Sequence, residues 1–121
     1  ATAPKISLDD LVCFKKFGNG FQESGVYPDL KDALLAISVS QSFLNRQPYR
    51  VVLDDDIISL VGFKDELTNE NDEHLNYGIA MFSFLAVLAA HRTEDPKWSF
   101  EDLDRDLGLP DGYFFIAKCN I

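Results

Sequence analysis

His74-Leu75-Asn76-Tyr77-Gly78-Ile79-Ala80-Met81-Phe82-Ser83-Phe84-Leu85-Ala86-Val87-Leu88-Ala89-Ala90-His91 is the most apolar stretch of the chain, and between Ile79 and Ala90 its one polar residue is Ser83. The stretch is too long for an ordinary strand and rich in Ala and Leu, which favour helix. A helix apolar on every side belongs in an interior. The sequence therefore predicts a buried central helix near residues 72–91, entered through the polar, acidic segment Thr68 to Glu73. The run is shorter than the ~20 apolar residues a membrane span needs.

Working toward the C-terminus, Thr93-Glu94-Asp95-Pro96 ends this helix. Ser99 with Asp102 three positions on resembles an N-cap, and Phe100, Leu103 and Leu107 form a helical stripe that Gly108-Leu109-Pro110 terminates. A further helix is expected there. Asp111-Gly112 then turns the chain into a strand, Tyr113-Phe114-Phe115-Ile116-Ala117.

Toward the N-terminus, Tyr49-Arg50-Val51-Val52-Leu53 and Ile57-Ile58-Ser59-Leu60-Val61-Gly62-Phe63 read as two strands of a hairpin turning through Asp54-Asp55-Asp56. The competing reading is a helix capped by Asp56. From Asp29 to Leu44, Leu30, Ala33, Leu34, Ile37, Gln41 and Leu44 share one helical face, with Pro28 in the first turn and Asn45-Arg46-Gln47-Pro48 as the stop. Residues 21–28 read as loop. Ser7-Leu8-Asp9-Asp10 is a capping arrangement, residues 11–17 suit strand or helix equally, and Gly18-Asn19-Gly20 is a turn. The expected fold is a single α+β domain over residues 1–121. It holds a small antiparallel or mixed sheet of three to four strands packed against three to four helices.

Charge is distributed unevenly. The 121 residues carry a net −9. Residues 1–53 hold five acids and six bases, a balance of +1, whereas residues 54–121 hold 15 acids and five bases, a balance of −10. Such a chain repels nucleic acid and anionic lipid and attracts a basic protein. Cys13 and Cys119 form no Cys-x-x-Cys pattern and each lies in apolar sequence, so buried, reduced thiols are expected, with a single bridge between them as the alternative. Ala1-Thr2-Ala3-Pro4 shows no leader pattern, and cytoplasmic residence is the expectation, with oligomeric state left open.

No catalytic signature emerges. His74 and His91 flank the central helix roughly 25 Å apart, too far to share a metal or a proton. Asp102-x-Asp104-x-Asp106 lacks the Gly and Glu of a calcium loop, since Leu107 and Tyr113 occupy those positions. Lys15-Lys16 with Gly18-Asn19-Gly20 lacks the ending of a phosphate loop. No cofactor or metal is therefore expected. Trp98, amid acids, suits either an aromatic anchor for a partner's basic side chain or a staple against Leu103.

The leading expectation is an acidic protein-binding module of the inhibitor or immunity type, which neutralises a basic protein such as a toxin nuclease. Its expected contact residues are Asp54, Asp55, Asp56, Glu70, Asp72, Glu73, Trp98, Glu101, Asp102 and Asp104. The alternatives are a small enzyme or ligand-binding domain without a recognisable motif, and a structural subunit of a larger complex.

Overall fold

Nearly continuous burial along Tyr49–Asp54 and Ile57–Phe63 marks the centre of the molecule, a hairpin whose strands are covered on both faces. The structure is a computed structural model, and it describes residues 6–21, 26–39, 47–64, 70–92 and 96–121, with the backbone alone at 70–73. In chain order the elements are α1 (Leu8–Leu11), β1 (Val12–Phe14), α2 (Pro28–Ser38), β2 (Tyr49–Asp54), β3 (Ile57–Phe63), α3 (Glu70–Ala89), β4 (Trp98–Ser99) and β5 (Tyr113–Asn120). Five strands form one mixed sheet in the order β1-β2-β3-β5-β4, in which β1 runs parallel to β2 and the other pairs are antiparallel. The sheet thus has five strands where three to four were expected, and its two shortest are β1 and β4.

Residues 11–17, ambiguous in sequence, split between both states. Ser7 caps one helical turn, its Oγ accepting from the Asp10 N–H at 3.3 Å, and the chain then extends as β1 beside β2. The hairpin turn is made by Asp55 and Asp56, with Asp55 in the left-handed region at φ 54° that Asp tolerates. α2 starts at Pro28 as expected and is described to Ser38; Gln41 and Leu44, expected on its apolar face, lie outside the described residues.

Two apolar clusters sandwich the sheet. On one face Val51, Leu53, Ile58 and Leu60 pack beneath Leu30, Leu34 and Ile37 of α2 and Tyr77, Ala80, Phe84 and Leu88 of α3. α2 begins where α3 ends, since Asp29 and Arg92 pair at 3.2 Å. On the other face Val52 and Val61 are covered by Leu107, with Phe17, Leu103 and Leu109 packed around it.

Two expectations are corrected. The helix predicted from Ser99 through Leu107 does not form: Trp98 and Ser99 pair with Cys119 and Lys118 of β5, and the chain beyond is irregular. The irregular path brings Leu103, Leu107 and Leu109 onto the Val52 and Val61 face of the sheet. The central helix is also not buried all round. Phe84 is 0% exposed, but Phe82 is 72% and Leu75 63% exposed, and Leu85 is half-buried. The sheet and α2 cover α3 from one side, and no described element covers the other.

Candidate acidic interaction surface

Arg105 joins the two acidic segments. Its guanidinium Nη1 lies 3.1 Å from an Asp54 carboxylate oxygen and donates to the Asp54 carbonyl at 3.3 Å. The link draws residues 100–106, which cross the back of the sheet, to the tip of the β2–β3 hairpin. Lys118 holds the other end of the segment, its Nζ donating to the Asp102 carbonyl at 3.4 Å. Inside the segment Ser99 Oγ accepts from the Glu101 N–H at 3.2 Å, and Asp106 Oδ1 accepts from the Gly108 N–H at 2.8 Å. These bonds place the chain where no regular ladder does.

Asp55, Asp56, Glu101, Asp102, Asp104 and Asp106 are consequently exposed around a shared surface, with Asp54 half-buried at its centre. An open depression of about 480 Å³ lies within it, lined by Asp102, Leu103, Arg105, Asp106, Leu107, Leu109 and Phe115. A smaller one of about 220 Å³ lies by Phe14, Lys15, Leu53 and Asp55. Among the described residues no three His, Cys, Asp or Glu side chains gather as metal ligands.

Six of the ten expected contact residues therefore share one region: Asp54, Asp55, Asp56, Glu101, Asp102 and Asp104. Glu70, Asp72 and Glu73 do not join them. They occupy the first turn of α3, in the layer on the other face, and that half of α3 meets the sheet at Gly62, the far end of β3 from the Asp55–Asp56 turn. Trp98 is half-buried. Its indole N–H donates to the Met81 carbonyl at 3.0 Å, and its ring stands 5.4 Å from that of Phe84. The staple of Trp98 on Leu103 needed the helix that does not form. The exposed aromatic of this segment is Phe100, 69% exposed, although its spacing fits the apolar stripe of the expected helix. Its spacing with Leu103 and Leu107 masked the signal.

The thiols have different surroundings. Cys119 is fully buried, and desolvation pushes its pKa from 9.0 up to about 11. Cys13 is half-buried, its Sγ accepting from the Gly18 N–H at 3.3 Å. β2 and β3 separate their strands, which puts the two Cα atoms on the order of 14 Å apart. A disulfide tolerates at most about 7 Å, so the alternative of a bridge is excluded.

Comparison with protein-family models, characterised proteins and solved structures found no match. Among the described residues no helix is long and apolar enough to cross a membrane.

Proposed function

We propose that this chain is an acidic protein-binding module of the inhibitor or immunity type, docking a basic protein partner such as a toxin nuclease on the surface shared by the β2–β3 turn and residues 100–106. The observation that carries this reading is the Arg105–Asp54 pair, which unites acids far apart in sequence into one surface beside the exposed ring of Phe100. Clustered rim carboxylates accelerate encounter with a basic partner, and an aromatic set among them supplies the desolvated contact that slows release. In this reading Phe100 takes the anchoring role expected of Trp98.

The test begins with affinity capture from source cells, followed by binding kinetics of the purified partner across a salt series. Neutralising Asp54, Asp55 and Asp56 to Asn, or Glu101, Asp102 and Asp104 to their amides, is expected to slow association and flatten its salt dependence. Phe100→Ala is expected to act on dissociation. Association rates unchanged in both charge variants, or a partner whose contact face is acidic, would refute the proposal.

A second reading, a subunit of a larger assembly, is favoured by the exposed apolar face of α3 at Leu75 and Phe82.

A further inference from the structure

One residue of the turn after β1 closes an edge of the sheet. β1 is the outermost strand on its side and pairs with β2, and just past its end the Lys15 N–H donates to the Leu53 carbonyl at 2.8 Å. Successive residues of a strand send their backbone groups to opposite sides, so Phe14 aims its N–H and carbonyl away from β2. Asn19 meets both. Its carbonyl accepts from the Phe14 N–H at 3.3 Å, and its Nδ2 donates at 3.0 Å to the Phe14 carbonyl, which the Lys16 N–H also reaches at 2.8 Å. The Asn19 N–H donates in turn to the Lys16 carbonyl at 3.2 Å.

Gly20 follows, and Asn19 is the one Asn in the chain that precedes a Gly. The turn requires glycine at Gly18, whose φ is 94°, but not at Gly20, which has no positive φ and where a Cβ would meet nothing within 4 Å. What glycine supplies at position 20 is a backbone nitrogen with no side chain beside it. Among the described residues the Gly20 N–H donates no hydrogen bond, and Asn19 and Gly20 are both exposed to water.

We propose that Asn19 is a self-modification site, at which the Gly20 nitrogen displaces the side-chain amide and thereby unlatches the outer edge of β1. The Gly20 nitrogen loses its proton to solvent and bonds to Asn19 Cγ. The Cγ–Nδ2 bond breaks, and Nδ2 takes a proton from solvent and leaves as ammonia. The product is a five-membered succinimide, which one water molecule opens at either carbonyl, with no oxidation or reduction. Opening on one side gives aspartate, which turns an acceptor toward the Phe14 carbonyl where Nδ2 had donated. Opening on the other gives isoaspartate, which adds a carbon to the main chain and takes the acceptor of the Phe14 N–H out of it. The longer chain also displaces Phe21, whose ring stands 5.4 Å from that of Phe14. In both products the Phe14 backbone groups become an open strand edge, the kind that pairs with another chain.

The purified chain is incubated at neutral and at mildly alkaline pH, and each Asn-containing peptide is followed by mass spectrometry. Asn19 is expected to convert ahead of every other Asn, and faster at the higher pH, because the attacking nitrogen must be deprotonated. Gly20→Val, which the open space accommodates, is expected to slow conversion severalfold by crowding that nitrogen. Asn19→Gln, which can close only a larger ring, is a second slow variant. The structural consequence is read on fresh Asn19→Asp protein by hydrogen exchange. The Phe14 amide should exchange at least about fivefold faster than in the wild type, while the Val51 and Val52 amides of β2 keep their rates. Conversion at Asn19 no faster than at the other Asn, a rate indifferent to both Gly20→Val and Asn19→Gln, or unchanged Phe14 exchange in Asn19→Asp would each overturn the proposal.

Discussion

Tyr77 lies so close over Gly62 that a Cβ at position 62 would stand 2.6 Å from its hydroxyl oxygen and 2.8 Å from its ring. This contact seats the first half of α3 on β3. Tyr77 is only 5% exposed, and Ile116 Cδ1 would also lie 2.8 Å from the added carbon, so neither neighbour swings away freely. Gly62→Ala should therefore destabilise the fold by about 1–3 kcal/mol through overpacking. Urea denaturation measures this, and an unchanged midpoint would contradict the contact.

Gln47 ties three segments together from a nearly buried position. Its Oε1 accepts from the Ile6 N–H at 2.8 Å, and its Nε2 donates to the Ser38 carbonyl at 2.8 Å and to the Tyr49 hydroxyl at 3.3 Å. Gln47→Ala strands these groups without water, at a cost of about 1–3 kcal/mol. The denaturation midpoint should fall accordingly, and hydrogen exchange at the Ile6 amide should quicken.

Phe82 and Phe84 stand two residues apart on opposite sides of α3. Phe84→Ala removes a fully buried ring that packs on Trp98 and should cost about 3–5 kcal/mol. Phe82→Ala should change stability by no more than about 0.5 kcal/mol. Leu85→Ala, at a half-buried position, should fall between them. Equal losses at 82 and 84 would mean that α3 is enclosed on both sides.

Burial raises the Cys119 pKa, which makes folding favour the protonated thiol. That preference is fully present below pH 9, where the unfolded thiol is also protonated, and is lost as pH rises through about 11. In that window the unfolded chain binds fewer protons than the folded one, so stability falls with pH, and Cys119→Ala should flatten the slope. Native alkylation should be slow at Cys119 and faster at the half-buried Cys13. Comparable rates at the two sites would refute this account.

Much of the fold was written in short-range patterns. Pro28 and the Leu30–Ile37 spacing marked α2, the β-branched runs either side of Asp54-Asp55-Asp56 marked the hairpin, and Tyr113–Ala117 marked β5, because these elements are long enough to display a period. The acidic character of residues 54–121 was likewise a property of composition. Tertiary structure alone decided the rest. β1 and β4 span three and two residues, too few to carry alternation, and exist because β2 and β5 offered open edges. The stripe of Phe100, Leu103 and Leu107 fits a helix, yet pairing of Trp98 with Cys119 and the Phe17 N–H to Leu107 carbonyl bond at 2.8 Å drew the segment out along the sheet. Periodicity reports which residues are apolar and not how many layers surround them. For that reason the exposed face of α3, and the meeting of Asp54 with Arg105, followed from the arrangement of distant segments and not from any local pattern.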